Sequence, residues 1–278
     1  MDDKIRELYR MAYKLRMHTL EMVHNAKTGH AAPCMSIAEI MSVLYFDALN
    51  LKPEDQLWID RDRFIMSKGH ASPIYYAALA ERGFFPVDDL LEYRQINSKL
   101  QGHPCMGKCP GVDMTSGSLG NGFSTAVGKA LIGKKEKKGY RVFSIVGDGE
   151  LQEGIIWEAL MFAGNAGLDN MIVFVDANGL QSGGKVEKIN NLDNLEKKFQ
   201  SFNWNVQTID GHSVEQIISA IEKAKTNAGR PNVIIAKTVK GKGVSYMEDK
   251  YLWHMKAPND DEFKQGMSEL EKEMNDYA

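Results

Sequence analysis

The stretch Ser144–Gly154, SIVGDGELQEG, runs an apolar segment into two glycines and a lone carboxylate. Val142, Phe143, Ile145 and Val146 form an almost unbroken apolar run, the pattern of a strand covered on both faces. It stops at Gly147-Asp148-Gly149. A second such run, MIVFVD at 171–176, stops in the same way, in the polar and turn-prone DANGLQ of 176–181. Residues 152–167 between them carry helical apolar spacing. Two buried strands joined by a crossover helix lie parallel, and in an open α/β sheet ligands bind beyond the carboxyl ends of such strands. The spacing therefore predicts that Asp148 and Asn178 project into one crevice.

Working outward, Ile5, Leu8, Met11, Leu15 and Met22 predict an amphipathic helix over about 4–25. SIAEIMSVLYFDAL reads as a second helix, with Ser36 as N-cap and Glu39 closing a capping box. Residues 62–67 read as a short strand, and 70–82, 86–94 and about 119–133 as helices. A strand over 141–147 precedes the crossover helix. Further on come a strand near 204–209, a helix over 213–227, a strand over 232–238 and a helical tail from about 261. The expected fold class is α/β: a three-layer, doubly wound, mainly parallel sheet with helices on both faces. The expected organisation is a single domain over residues 1–278 with a helical lead-in and a helical tail.

The composition fits a globular chain. Of 278 residues, 43% are hydrophobic and 26% charged, with a formal net charge of −3, which gives no reason to expect a nucleic-acid or anionic-membrane partner. The N-terminus MDDKIRELYR lacks the features of a signal peptide, and no apolar run is long enough to span a bilayer. Three cysteines, Cys34, Cys105 and Cys109, are a sparse and odd set, consistent with reduced thiols in a cytoplasm. Cys105 and Cys109 lie near His103 but have no fourth zinc ligand close by, and read as two thiols in a loop. The basic run KKEKKG at 134–139 reads as a solvated helix end.

The paired strand ends suit Mg²⁺, which takes hard oxygen ligands, often one or two from protein with phosphates and water completing the shell. Asp148 offers a carboxylate, Asn178 an amide oxygen and Leu180 a main-chain carbonyl. Gly147 and Gly149 leave the backbone open to a diphosphate, and N–H groups at the start of the next helix can face its oxygens. A GDG alone is more often a plain structural turn. Followed 30 residues later by Asn178, with both at strand ends, it is far more specific.

The whole segment 147–181, GDGELQEGIIWEALMFAGNAGLDNMIVFVDANGLQ, resembles the thiamin-diphosphate motif in its transketolase form. Other motifs extend the resemblance over nearly the whole chain: KTGHAA (27–32), SKGHAS (67–72), GHP (102–104), TSGSLGNG (115–122), DGHS (210–213), KTVKGKGVSYME (237–248) and WHMKAP (253–258). The resemblance implies that Asp148, Asn178 and the Leu180 carbonyl hold Mg²⁺, with Ca²⁺ or Mn²⁺ as substitutes, and through it thiamin diphosphate. It implies cofactor contacts by His70, His254, Gly147, Gly149 and the Gly117-Ser118-Leu119-Gly120 loop. Glu153 would lie where two cofactor-binding subunits meet. His30, His103 and His254 would contact substrate hydroxyls and move protons, as imidazoles flanked by small residues can. His18 and His24 match nothing and read as structural or surface residues. Two positions depart from the family pattern: Ser118 replaces a proline and Cys105 a glutamate.

The activity implied is transfer of a two-carbon ketol unit from a ketose phosphate to an aldose phosphate. In the family, the glutamate that activates the cofactor comes from a pyrimidine-binding domain, which this sequence does not contain. The expectation is a subunit of a split transketolase, inactive alone, with the pyrimidine and C-terminal domains on a partner in an α₂β₂ assembly. The nearest rival is the α subunit of a 2-oxo acid dehydrogenase; the dispersed TGH, KGH, GHP and WHM motifs suit a polyhydroxylated substrate better. A split transketolase for a branched or sulfonated sugar also remains open at this stage. A non-catalytic scaffold would not need all these motifs, and a Mg²⁺-dependent phosphate hydrolase would need a nucleophile or base beside the metal, for which GDGELQEG offers no obvious second-carboxylate arrangement.

Overall fold

A computed structural model describes residues 1–277. Five strands, β1 (Arg63–Met66), β2 (Val142–Gly147), β3 (Met171–Ala177), β6 (Asn205–Asp210) and β7 (Asn232–Lys237), form its centre. They pair as one parallel sheet in the order β1-β2-β3-β7-β6. Between β3 and β6 in the chain, a two-stranded antiparallel hairpin of β4 (Leu180–Gln181) and β5 (Gly184–Lys185) stands beyond the end of β3.

Alternation along the strands sends side chains to two separate cores, which is why the central runs are apolar without a break. Phe143, Ile145, Ile172, Phe174 and Ile234 face a layer built on the first helix, Asp3–Ala26. Val142, Val146, Val173, Val175 and Ile235 face the opposite layer, which contains the helices Asn121–Lys135 and Gly154–Asn165. This is the expected three-layer doubly wound arrangement. The C-terminal helix, Asp260–Asn275, begins in a capping box formed by Asn259 and Glu262 and packs along the first helix.

Several elements differ from the sequence reading. Ser36 does not cap a helix: its backbone is itself helical, and its hydroxyl donates to Asp176 Oδ2 at 2.8 Å. Glu39 is buried against Arg16 and His212 instead. Residues Val87–Glu92 form a 3₁₀ segment rather than an α-helix. The crossover opens with a 3₁₀ turn, Gly149–Gln152, before the α-helix Gly154–Asn165. The hairpin and the short helix Leu195–Ser201 were not expected. Among the described residues no helix is long and apolar enough to cross a membrane.

Candidate active site

The register of β2 on β3 sets Gly147 opposite Asp176, and the Asp148 N–H donates to the Asp176 carbonyl at 3.2 Å. Asp148 and Asn178 therefore leave the sheet from adjacent strand ends, as the spacing predicts. Asp148 Oδ1 accepts from the Gly149 N–H at 2.8 Å and Oδ2 from the Gly179 N–H at 2.5 Å. Asn178 Oδ1 accepts from the Leu180 N–H at 3.0 Å. Burial, with Asp176 close by, lifts the Asp148 carboxyl to about 6, while the two N–H donors and Lys240 oppose the rise. An under-compensated carboxylate beside an amide oxygen and a main-chain carbonyl has the chemistry of a hard-cation site. Among the described residues no group of three or more His, Cys, Asp or Glu side chains is arranged to hold a metal ion, so the remaining ligands of such a cation would have to be phosphate or water oxygens.

Four charged groups missed in the sequence hold this corner together. Asp176, near the end of β3, accepts from Ser36, Lys68 Nζ at 2.6 Å, Asn178 Nδ2 at 2.8 Å and Thr238. Burial alone would raise its carboxyl, but Lys68 together with the hydrogen bonds from Thr238 and Ser36 outweighs burial and holds it low. Lys240 Nζ donates to the Leu180 carbonyl at 3.2 Å and bonds His254 Nδ1 at 2.9 Å. Burial and Lys68 bring its ammonium down to about 8. Glu150 accepts from Ser67 Oγ at 2.5 Å and from the N–H groups of Gly120 and Gly147 at 2.9 and 3.0 Å. It thereby ties the glycine loop to the end of β2. Lys68 and Lys240 sit inside the SKGHAS and KTVKGKG motifs, which was the available signal.

Three of the predicted histidines converge from distant segments. The ring centroids of His30 and His70 are 5.2 Å apart, those of His30 and His254 5.3 Å, and those of His70 and His254 5.1 Å. All three are held neutral. Burial, followed by Arg94, His103 and Lys240, lowers His30 to about 4. Burial, followed by Lys240 and His30, lowers His254 to about 3. Burial and Lys68 push His70 well below the usual imidazole range. His30 Nδ1 is buried without a hydrogen-bond partner.

These groups line one cavity of about 260 Å³ that also takes in Gly117, Leu119, Gly147, Gly149 and Glu153. Gly120, at the N-terminus of the helix Asn121–Lys135, has φ of 83°, and a Cβ there would stand 2.5 Å from Ile155. Gly149 packs on the hairpin: its Cβ would meet Gln181 at 3.0 Å. Ser118 is exposed beside this loop and does not line the cavity. His103 lies outside the lining, behind Gly117, whose Cβ would be 3.9 Å from its ring. His212 is engaged elsewhere: Nδ1 bonds Glu39 at 3.0 Å and Nε2 accepts from the Val239 N–H. His18 pairs with Glu81, and His24 pairs with Asp260 and stacks on Phe263. All three cysteines are free.

The parallel sheet presents Asp148 and Asn178 from adjacent strand ends to a cavity lined by three imidazoles, and the family match puts the chain in the thiamine diphosphate binding class. The transketolase thiamine diphosphate binding domain matches residues 8–276, and the chain belongs to that family. It is 42% identical over 273 residues to the 6-deoxy-6-sulfo-D-fructose transketolase subunit SqwG of Clostridium sp. (strain MSTE9), covering 98% of this chain and 99% of that protein. It is 39% identical over 268 residues to an apulose-4-phosphate transketolase subunit of Actinobacillus succinogenes, covering 96% and 97%. The transketolase structure from Campylobacter jejuni superposes with a TM-score of 0.91 at 34% identity, over 98% of this chain but 43% of that one. The family match favours the transketolase reading over that of a 2-oxo acid dehydrogenase subunit.

Proposed function

We propose that this chain is the diphosphate-binding subunit of a two-subunit transketolase. It moves a two-carbon ketol unit from a ketose phosphate to an aldose phosphate when joined to a partner that carries the pyrimidine-binding domain, as an α₂β₂ assembly in the cytoplasm. The observation that carries this reading is the meeting of the Asp148 and Asn178 strand ends with His30, His70 and His254 around one cavity. The two relatives matched over nearly their full length are both named as subunits, which supports a partner.

Asp148, Asn178 and the Leu180 carbonyl would hold Mg²⁺, for which Ca²⁺ or Mn²⁺ could substitute. Gly147, Gly149 and the Gly117–Gly120 loop would flank the diphosphate, and His70 and His254 would donate to it. Glu153, exposed at the rim, would meet the neighbouring subunit. Thiamin diphosphate supplies, when bound, the carbanion chemistry that breaks and remakes a carbon–carbon bond. The chain's own part is to hold that chemistry away from water and to handle protons. A neutral imidazole carries one basic nitrogen and one N–H, so it can take a hydroxyl proton and return it. The bare Nδ1 of His30 would make that exchange, and His254, bonded to Lys240, would offer a second such ring. His103, outside the cavity lining behind Gly117, would meet the sugar chain.

The test is a ketol-transfer assay with thiamin diphosphate, Mg²⁺, a ketose phosphate and an aldose phosphate, run with and without the partner subunit. Turnover is expected only with the partner. Robust turnover by this chain alone would refute the two-subunit reading. Decarboxylation of a 2-oxo acid without ketol transfer would refute the reaction.

A further inference from the structure

We propose that Arg94 is a positioning residue that ties the segment carrying His30 to the segment carrying His103, and that position 102 is glycine because the Arg94 guanidinium occupies the space of a side chain. The inference rests on the reading that these two histidines exchange protons with a sugar.

Arg94 has a left-handed backbone, φ 61°, which residues other than glycine rarely adopt. Its N–H donates to the Leu100 carbonyl at 2.9 Å, which fixes the turn leading into Gly102 and His103. Its Nη1 donates to Thr28 Oγ1 at 2.8 Å, two residues ahead of His30. That is its one side-chain hydrogen bond among the described residues, and Nε is buried without a partner. On the other side, Nη2 and Nε lie 2.5 and 2.6 Å from where a Cβ on Gly102 would stand. One guanidinium therefore bridges two loops that are far apart in sequence. Backbone strain and a buried, unsatisfied donor are costs that packing alone does not explain.

The same placement sets a positive charge against both rings. After burial, Arg94 is the strongest influence holding His30 down, ahead of His103 and Lys240, and it acts on His103 in the same direction. The other titratable groups around His30 are His103, Lys240 and the rings of His70 and His254. Losing the charge raises both imidazoles, so protonated and idle rings persist to higher pH.

Three variants separate position from charge. Arg94→Gln removes the charge. Gly102→Ala keeps the charge but pushes the guanidinium aside; the Gly102 backbone is not left-handed, and the obstructing atoms belong to a flexible side-chain end. Arg94→Lys keeps a cation without the fork that reaches Thr28. Histidine ring titrations followed by NMR on this chain should move to higher pH for His30 and His103 in Arg94→Gln and Gly102→Ala, and much less in Arg94→Lys. In the assembled enzyme, kcat/KM should fall roughly ten- to hundredfold in all three, the kinetic equivalent of one charged hydrogen bond, because none keeps the fork in place, while the acid limb of the pH profile should move up only in Arg94→Gln and Gly102→Ala. Unmoved titrations in both Arg94→Gln and Gly102→Ala would overturn the proposal, as would identical titrations in Arg94→Lys and Arg94→Gln. The NMR result stands whether or not the assembly shows ketol transfer, so a failure of the functional reading is distinguishable from a failure of this one.

Discussion

Asp148 is costly to the fold that holds it. Burial and Asp176 raise its carboxyl to about 6, so at neutral pH the charged form is disfavoured relative to an exposed aspartate. Two backbone N–H donors offset part of that cost. A divalent cation would reverse the balance. Asp148→Asn should therefore change the melting temperature of the cofactor-free chain by only a few degrees. In the assembled complex it should weaken Mg²⁺-dependent thiamin diphosphate binding by at least about a hundredfold, beyond the ten- to hundredfold typical of outer-shell groups. Calorimetric titration reads the second effect and a melting curve the first; unchanged affinity would mean the strand-end pair has another role. Asp148, Asn178, His30, His70 and His254 were legible because each sits in a short motif, most of them flanked by glycine. The pairing of Asp176 with Lys68 was not. They form one buried ion pair across 108 positions, and local pattern carries no information about a partner that distant.

The central strands were legible because burial on both faces leaves long apolar runs, and the long helices because their apolar faces repeat. The errors fall where periodicity has too few residues to act: the hairpin at 180–185, the short helix Leu195–Ser201 and the 3₁₀ segment at Val87–Glu92. The Ser36–Glu39 cap failed for another reason. Both side chains had stronger partners elsewhere, Asp176 for Ser36 and Arg16 with His212 for Glu39. Two helical glycines make packing at this scale testable. A Cβ on Gly164 would stand 1.8 Å from the Phe202 carbonyl oxygen, which is backbone and cannot swing aside, whereas Gly128 has nothing within 4 Å. Gly164→Ala should destabilise the chain by about 3 kcal/mol or more, overriding any gain in helix propensity. Gly128→Ala should stabilise it by up to about 1 kcal/mol. Denaturant midpoints decide, and equal effects would show that the 154–165 helix packs differently. The Glu39 cluster joins three elements and gives a pH prediction. Burial would raise Glu39, but Arg16 and then His212 outweigh it and bring it from 4.5 to about 2. A depressed carboxylate contributes stability that is complete above about 4.5 and is lost as pH falls toward about 2. Glu39→Gln should flatten the stability profile over that window and cost about 3–5 kcal/mol at neutral pH by stranding Arg16.

At the scale of the whole molecule, the chain matches nearly all of two relatives named as subunits but 43% of a transketolase from Campylobacter jejuni. Under the proposed function the cavity receives the diphosphate and the pyrimidine ring is read by the partner. Cofactor and partner should then stabilise each other, because each binds the folded site and not the unfolded chain. At a concentration about a hundredfold above its dissociation constant, a ligand adds about 2.7 kcal/mol to the stability of its host. For a chain of this size that corresponds to a rise in melting temperature of about 5 °C. Thiamin diphosphate with Mg²⁺ should produce such a shift in the assembled complex and a smaller one in this chain alone. With a chelator present the shift should fall below about 1 °C, because the diphosphate then meets the Asp148 carboxylate without a cation to join the two. An equal shift with and without chelator would remove the metal from the proposal. An equal shift with and without the partner would place pyrimidine recognition on this chain, and the two-subunit site would have to be redrawn.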